Sequence, residues 1–435
     1  MTPYRSTTRL FAKAFAFAVV STAIVGVSSP CKASPDPTRV IRTEDFLNTL
    51  GVNTHLGGLT KSDPWNTNIP EVASQLNYIG VRLVRDWPYR AEYGVTLKSL
   101  QEAWRKDGRF WLAVVEGSPA DQRTSAASIV EIAKKYPDLV YAASGPNEED
   151  NGYAQKLGAT LPDSALVQAD SYNALHPMGI MVSQMEFGSG WVASNNWQGN
   201  YNPTNTGSKQ NYTPGPADFG GAHTYVSNGM QTLGKVIGQM RANALLCTPG
   251  KPVAHTELGA YTHAHISPTL YGQFLVMGAF TSAVAGDVGY LVYGLQDSAP
   301  EATYGFYSFP QGVAHPAAKY FHTMTTLLAS TKGSYGPGAK PTYTATPLAI
   351  TFANPTNGHA VLQKPTGEYV VAAWSEQLMN EKAHDETDAI TLPRKFATAT
   401  VYNVRQGVTP TATLTNVSEV RLDMEPSDTY LIVLK

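Results

Sequence analysis

The hydrophobic pattern of the chain changes its period repeatedly between residues 43 and 328. Short runs of apolar and β-branched residues, typical of buried strands, alternate with longer segments whose apolar residues recur at helical spacing. The clearest helix has Ile129, Ile132 and Tyr136 on one face and is stopped by Pro137. The strand-like runs occupy residues 51–55, 79–84, 110–115, 139–143, 178–182, 219–223, 253–256 and 288–293.

Eight such runs, separated by helical segments, predict an α/β fold of the (β/α)₈ or TIM-barrel type. A doubly wound open sheet would carry a glycine-rich phosphate-binding turn after its first strand, whereas this chain has Asn-Thr-His at 53–55. One helix is predicted in more detail. Ser267 caps it, Pro268 begins it and Gly286 closes it.

The pattern changes after Ser330, where a Gly/Pro/Lys-rich linker at 331–341 is followed by short β-rich runs. Turn-forming residues separate several of these runs, which predicts a small antiparallel β-sandwich. The domain prediction is therefore a barrel over 34–330 and a sandwich over 331–435. The β-rich runs occupy residues 342–346, 348–353, 360–363, 369–374, 397–403 and 429–434.

The amino terminus has the pattern of a secretory signal peptide. Residues 1–13 are basic, 14–27 form an apolar run that is short for a membrane span, and Ala33 ends a small-x-small cleavage site. We expect residues 1–33 to be removed and the protein to be periplasmic or extracellular. A lipid anchor on Cys31 is the alternative. With Cys31 removed, Cys247 has no disulfide partner.

Charge and composition narrow the class of partner. Lys+Arg number 32 against Asp+Glu 34, a net charge of −2, and no Lys/Arg cluster forms a phosphate-binding stripe, so nucleic acid is not an expected partner. No second apolar run reaches membrane-spanning length. Aromatic residues make up 10%, which suits stacking on flat ligands and suits an ordinary core equally. We expect a monomer.

Two glutamates end predicted strands of the barrel. Glu148 follows the fourth strand and Glu257 follows the seventh. Because all strand ends of a barrel open onto one face, the two carboxyls are expected to meet across one crevice. Two facing carboxyls, one protonated and one ionised, are what glycoside cleavage requires. No cofactor is implied, since both groups are side chains.

The chain resembles clan A glycoside hydrolases, whose acid/base and nucleophile are glutamates ending strands four and seven, and it is most similar to secreted family 39-like members. The resemblance covers about 45–328 and extends to the C-terminal sandwich, which is usual in such proteins. The matching segments are Gly51-Val52-Asn53-Thr54-His55, Gly80-Val81-Arg82, Arg85-Asp86, Gly145-Pro146-Asn147-Glu148, His223-Thr224-Tyr225, Thr256-Glu257-Leu258-Gly259, Tyr293-Gly294-Leu295-Gln296-Asp297, Tyr304-Gly305-Phe306 and His315-Pro316-Ala317.

The resemblance implies a retaining mechanism with Glu148 as general acid/base and Glu257 as nucleophile. Their carboxyls are then expected about 5–5.5 Å apart. Asn147 would bind the sugar hydroxyl beside the reacting carbon, and Arg85 would keep Glu257 ionised, because a nearby cation favours the charged form. Tyr225 would donate a hydrogen bond to the nucleophile.

Further substrate-binding positions follow from the barrel rim and from a long loop at 186–216. His223, His55, Asn53 and Tyr293 lie at strand ends, and Trp191 in the loop is a candidate for stacking on a sugar. Each has an alternative structural role. The histidines could be buried structural groups, and Trp191 could pack the loop onto the barrel. Arg85 could instead pair with Asp86 or Glu116.

Two observations keep other functions open. The family pattern has proline after the acid/base glutamate, whereas this chain has Glu149 and Asp150. The two added charges would disfavour the charged form of Glu148, which suits a general acid. They could equally indicate a barrel that binds glycan without cleaving it. His263-Ala264-His265 has metal-ligand spacing, which leaves a metal-dependent hydrolase as a third possibility. We expect no metal.

Overall fold

The computed structural model describes residues 39–56, 68–148, 156–186, 216–226, 232–260, 266–297, 304–377 and 385–435. Residues 37–435 form one compact unit. The predicted signal peptide, Glu149, Asp150 and Trp191 lie outside the described residues, as does the His263-Ala264-His265 segment. None of the helices in the described ranges is long and apolar enough to cross a membrane.

Fifteen strands are described, and eight of them form a parallel sheet. The order in this sheet is β6-β5-β4-β3-β2-β9-β8-β7, and one parallel bridge between Ser183 and Phe219 joins its two end strands. Each predicted barrel strand is present, so the barrel prediction is confirmed. The strands up to β9 are β1 (Val40–Arg42), β2 (Leu50–Asn53), β3 (Leu83–Asp86), β4 (Arg109–Val114), β5 (Val140–Pro146), β6 (Met181–Ser183), β7 (Gly220–Val226), β8 (Val253–Ala260) and β9 (Gly289–Val292).

Local sequence explains where the helices begin and end. Helix α7 has the predicted cap at Ser267, whose side chain accepts a hydrogen bond from Leu270 N, and it ends at Gly286 with φ of 80°. Helix α3, by contrast, has no side-chain hydrogen bond at its N-cap residue, Glu92. The α-helices are α1 (Thr43–Thr49), α2 (Ile69–Ile79), α3 (Tyr93–Trp104), α4 (Pro119–Lys135), α5 (Leu161–Leu175), α6 (Leu233–Cys247), α7 (Pro268–Ala285) and α8 (Pro316–Leu328).

The barrel interior is filled by side chains from several strands. Trp111 of β4 is fully buried, and its ring meets that of Phe219 at 5.0 Å between centroids. Ala142, Ala254 and Leu291 complete this cluster. The small residues leave room for the one large indole, and the resulting layer supports the carboxyl ends of the strands from below.

The C-terminal region is β-structure, as predicted, in the form of one seven-stranded sheet in the order β1-β11-β12-β15-β13-β10, with β14 paired to β13. The predicted strands at 369–374 and 429–434 are confirmed. Residues 342–346 form no strand, so that prediction is wrong, and β14 was not predicted because nine of its 13 residues are exposed and mostly polar. The new strands are β10 (Thr351–Phe352), β11 (Gly358–Gln363), β12 (Tyr369–Trp374), β13 (Glu386–Asn403), β14 (Ala412–Met424) and β15 (Thr429–Leu434).

Strand β1 crosses the predicted domain boundary. It precedes the barrel in sequence, yet Val40, Ile41 and Arg42 pair in parallel with β11 of the C-terminal sheet. The segment before the barrel therefore contributes to the second sheet, and the division into 34–330 and 331–435 stays a prediction. The two packed layers of a sandwich also stay a prediction.

Candidate active site

Glu148 and Glu257 reach the carboxyl end of the barrel from strands that are not neighbours. Glu257 lies within β8, whose pairing with β9 is irregular between His255 and Leu258. Glu148 follows β5 and has φ of 46°, a left-handed conformation uncommon for a residue with a Cβ. One side-chain ligand atom from each of Glu148, His223 and Glu257 lies within 4.8 Å of the others. The predicted meeting of the two carboxyls is therefore observed.

Both carboxylate oxygens of Glu257 accept hydrogen bonds. Arg85 Nη1 donates to Oε1 at 2.8 Å and Tyr225 OH donates to Oε2 at 2.8 Å. The side chain is only 6% exposed. A cationic donor on one oxygen and a phenol on the other fix the orientation of the carboxylate.

Arg85 is fully buried and connects four segments around this end of the barrel. Besides Glu257, its Nη1 donates to Asn53 Oδ1 at 2.9 Å. Its Nη2 donates to Asn147 Oδ1 at 2.7 Å and to Glu186 Oε2 at 2.6 Å. These partners differ from Asp86 and Glu116, the alternatives that the sequence leaves open. A buried guanidinium with several acceptors is held in one position.

His223 lies between the carboxylates and is also fully buried. Its Nδ1 is 2.7 Å from Glu148 Oε1 and 3.5 Å from Glu257 Oε2, and its Nε2 is 3.4 Å from Glu186 Oε2. Burial acts to lower the pKa of His223, but the charge of Glu257 and the bonds to Glu148 and Glu186 overcome it and raise the pKa to about 10. The imidazole is therefore a cation near neutral pH and donates from both nitrogens.

The sequence pattern places Glu186 at the start of a long loop and does not distinguish it as a site residue. It lies three residues beyond β6, is fully buried, and is bonded to Arg85, His223 and Ser144. Burial acts to raise its pKa, but the charges of Arg85 and His223 lower the pKa of Glu186 to about 2. The strand-end argument that identified Glu148 and Glu257 could have identified Glu186 as well.

Aromatic rings form one wall beside Glu257. Tyr225, Tyr293 and Tyr304 meet edge to face, with centroids 6.1–6.2 Å apart. His55 stacks on Trp87 at 4.9 Å, and Trp87 in turn covers the guanidinium of Arg85 at 4.4 Å. Burial, and then the charge of Arg85, lower the pKa of His55 to about 4, so it is neutral near pH 7. The wall offers partly exposed aromatic faces for an apolar ligand surface.

The same geometry bears on metal binding. Glu148, His223 and Glu257 are close enough to surround one ion. A metal-bound histidine must offer an unprotonated nitrogen, and Nδ1 of His223 lies 2.7 Å from Glu148 Oε1, at hydrogen-bond distance. A cation bound by these three residues would have to displace the proton between His223 and Glu148.

Comparisons with known proteins support the barrel. No protein-family model matches the chain, and no curated protein matches it. Among solved structures, the GH39 enzyme from Xanthomonas axonopodis pv. citri is 14% identical, with a TM-score of 0.58, over 92% of this chain and 96% of that one. The chain shares its fold with solved glycoside hydrolases of family 39. The resemblance predicted from the sequence is thus confirmed at the level of fold.

Two further solved structures are similar over most of their length. The GH39 β-xylosidase from Caulobacter crescentus is 12% identical, with a TM-score of 0.54, over 91% of this chain and 98% of that one. A glucosidase from Croceicoccus marinus is 10% identical, with a TM-score of 0.58, over 91% and 96%. The fold therefore occurs in proteins named for different sugars.

The structure brings together Glu148, Glu257 and most of the other predicted residues, and it changes the part that one of them plays. Asn53 was predicted to bind substrate, but it is fully buried. Its amide donates to the carbonyls of Thr256, Leu291 and Val292, while its carbonyl accepts from Arg85. The geometry makes Asn53 a support for Arg85, because its donors and acceptor already have protein partners.

Proposed function

We propose that this protein is an exported retaining glycoside hydrolase that cleaves O-glycosidic bonds of a poly- or oligosaccharide by double displacement. Glu257 is the nucleophile and Glu148 the general acid/base. The observation that carries the proposal is the approach of an oxygen of each carboxyl to within 4.8 Å. Retaining pairs lie about 5–5.5 Å apart, whereas inverting pairs leave room for a water at about 6.5–9.5 Å.

Exposure and bonding support the division of roles. Glu257 is 6% exposed and accepts a hydrogen bond at both oxygens, as expected for a nucleophile that is held in one orientation. Glu148 is 23% exposed, so its carboxyl can meet a leaving group or water. A general acid must exchange its proton with both in one catalytic cycle.

A charge count supports the same assignment. Arg85 and His223 are cations, and they face the carboxyls of Glu148, Glu186 and Glu257. One proton on a carboxyl makes the group neutral. Glu186 and Glu257 are both paired with Arg85, and Glu148 is the most exposed of the three, so the proposal assigns the proton to Glu148. His223 then donates to Oε1 of Glu148, and the proton lies on Oε2.

The two steps follow from these positions. In the first, Glu257 bonds to the anomeric carbon while Glu148 protonates the departing oxygen. In the second, Glu148 removes a proton from water, which attacks the same carbon and releases Glu257 as a carboxylate. Arg85 and Tyr225 bind the carboxylate of Glu257 before and after the cycle. The aromatic wall would receive an apolar sugar face.

One contact favours the alternative of a barrel that binds glycan without cleaving it. His223 as a cation, 2.7 Å from Glu148, would hold that carboxyl ionised if the surplus negative charge of the site were accommodated elsewhere. Under this alternative Glu148→Gln and Glu257→Gln would alter glycan affinity, and no hydrolysis would be measurable in the wild type.

The experiment is release of chromophore from a panel of aryl glycosides, covering gluco-, galacto-, xylo-, arabino-, mannosides and glucuronides. Wild type is compared with Glu257→Ala, with and without azide. We expect turnover that falls on the order of 10⁴–10⁶-fold in the variant and is partly restored by azide as external nucleophile. Glu44→Gln, at the other end of the barrel, is the control.

Two results would contradict the proposal. Full activity in Glu257→Ala would exclude Glu257 as the nucleophile. No turnover by the wild type on the panel, followed by none on polysaccharides, would favour the binding alternative. Export is tested separately, by amino-terminal sequencing of the secreted protein, which we expect to begin at Ser34.

A further inference from the structure

Glu186 is a third glutamate at the reacting end of the barrel, and the two-step mechanism gives it no part. Its side chain is 0% exposed, so it cannot touch a sugar. Even so it is ionised, with a pKa of about 2. Burying a carboxylate is costly unless charges and hydrogen bonds compensate, so the contacts of Glu186 are informative about its role.

One oxygen of Glu186 holds both cations of the site. Oε2 accepts from Arg85 Nη2 at 2.6 Å and lies 3.4 Å from His223 Nε2. The opposite sides of these two cations face the reacting carboxyls, Arg85 at Glu257 and His223 at Glu148. Glu186 is therefore the common partner behind the contacts of both glutamates.

The other oxygen of Glu186 is fixed by the barrel interior. Oε1 accepts from Ser144 Oγ at 2.6 Å and from Ser183 Oγ at 3.1 Å. Ser144 in turn accepts from the indole of buried Trp111 at 2.7 Å. These bonds tie the carboxylate to β4, β5 and β6, which are rigid parts of the fold.

Gly221 of β7 packs directly against the side chain of Glu186. A Cβ added to Gly221 of β7 would lie 2.7 Å from Glu186 Cγ and 2.9 Å from Gln184 O, so glycine is required where the side chain passes. The main chain is coupled too, because Glu186 O accepts from Glu148 N at 3.0 Å. The left-handed backbone of Glu148 is thereby bonded directly to Glu186.

We propose that Glu186 is a positioning residue that holds Arg85 and His223 against the two reacting carboxyls, and whose charge is the reason that Glu148 can carry a proton. The inference rests on the proposed function of Glu148 and Glu257. With Glu186 neutral, the two cations would be balanced by ionised Glu148 and Glu257 alone. The site would then have no surplus negative charge, and the general acid would be lost.

Leaving-group dependence distinguishes this role from a structural one. Departure of phenol needs protonation by a general acid, whereas dinitrophenolate leaves without it. In Glu186→Gln, which keeps the shape of the side chain, we expect turnover of a phenyl glycoside to fall about 10²-fold or more, since general acids contribute about 10²–10⁴-fold. Turnover of the dinitrophenyl glycoside should fall less than about 10-fold, because Arg85 keeps its bonds to Glu257, Asn53 and Asn147.

The chain offers a matched control in Glu44. It is also a fully buried glutamate in an ion pair with an arginine, Arg82, at 2.6 Å. Glu44→Gln should lose a comparable amount of stability while its turnover per folded molecule, and its leaving-group dependence, stay those of the wild type. Glu186→Asp keeps the charge, and we expect it to recover part of the phenyl glycoside turnover.

A second readout does not depend on turnover. The charged groups that face His223 among the described residues are Glu148, Glu186 and Glu257, with Arg85 behind Glu186. Nuclear magnetic resonance of labelled histidine should find His223 protonated at pH 8 in the wild type and in Glu44→Gln. In Glu186→Gln the titration of His223 should move to lower pH.

The proposal is overturned if Glu186→Gln loses turnover of the phenyl and the dinitrophenyl glycoside equally. It is also overturned if Glu186→Gln turns over both glycosides as fast as Glu44→Gln does while His223 titrates as in the wild type. If Glu186→Gln does not fold, Glu186→Asp provides the test. The proposal is then overturned if this variant loses all turnover of the phenyl glycoside while the titration of His223 is unchanged. A wild type that hydrolyses no glycoside would refute the proposed function, and the histidine titration would still test whether Glu186 holds His223.

Discussion

Two buried arginines three residues apart in the sequence lie at opposite ends of the barrel and have different surroundings. Arg82, just before β3, pairs with Glu44 at 2.6 Å and donates to Asn48 and to the carbonyl of Tyr335. Arg85, within β3, pairs with both Glu186 and Glu257. The first is one cation with one anion. The second belongs to a group with more carboxyls than cations.

The difference distinguishes an ion pair that stabilises the fold from charged groups that belong to the candidate active site. At the amino end, charges match one to one, and the pair joins α1 to the segment at 331–341 through Tyr335. At the carboxyl end, three carboxyls face two cations, and one of the three, Glu148, is accessible at 23% exposure. Perturbed titration in a crevice is a feature of functional sites.

The largest expected effect comes from removing each arginine. Arg82→Met and Arg85→Met both leave a buried carboxylate without its cation, so each should lower the free energy of unfolding by about 3–5 kcal/mol. Only Arg85→Met should also lose glycosidase turnover, by about 10²-fold or more, because the carboxylate of Glu257 loses its orientation. Denaturant unfolding and turnover per folded molecule measure the two effects. Equal turnover in the two variants would remove the distinction between the two ends.

A smaller effect is expected from a single phenol. Tyr225→Phe removes the donor to Glu257 Oε2 and should lower kcat about 10²-fold, in the range found for a lost donor at a reacting oxygen. The matched variant is Tyr290→Phe, since Tyr290 OH donates to the carbonyl of Leu275, away from the carboxyls. That variant should lose about 1 kcal/mol of stability and no kcat. A kcat in Tyr225→Phe equal to that of Tyr290→Phe would contradict the role of Tyr225.

A third prediction concerns the dependence of stability on pH. The pKa of His223 is raised from 6.5 to about 10, so its contribution is complete below pH 6.5 and is lost as pH rises through 10. The pKa of His55 is lowered from 6.5 to about 4, so its contribution is complete above pH 6.5 and is lost as pH falls towards 4. These two groups together place maximal stability near pH 6.5.

Denaturant unfolding between pH 4 and pH 10 measures this profile. His55→Gln should flatten its acid side. Glu44→Gln should lower the free energy of unfolding at every pH without changing how it falls between pH 7 and pH 10, because the ion pair of Glu44 and Arg82 contains no histidine. Stability that stays constant from pH 7 to pH 10 in the wild type would show that His223 is not held as a cation.

Much of this site could be predicted from sequence because its residues directly follow strands that local pattern identifies. Glu148 and Glu257 were predicted in this way, and the family resemblance added His223 and Tyr225. Glu186 was missed because the three-residue strand β6 ends before it and the long segment that follows has no periodicity. The bonds of Asn53 to Arg85 and to three carbonyls could not be predicted, since burial, which sequence does not give, determines whether an amide faces substrate or protein.

The sequence by itself determined the eight-strand barrel, the β-rich C-terminal region and the two glutamates that end the fourth and seventh barrel strands, because period, turn residues and caps act over a few neighbouring residues. Tertiary structure alone decided that β1 joins the C-terminal sheet, that Arg85 binds two carboxylates, and that His223 lies between three. These contacts join residues up to 321 positions apart, as between Val40 and Val361. Their charge balance depends on distances and burial that arise only when the barrel closes.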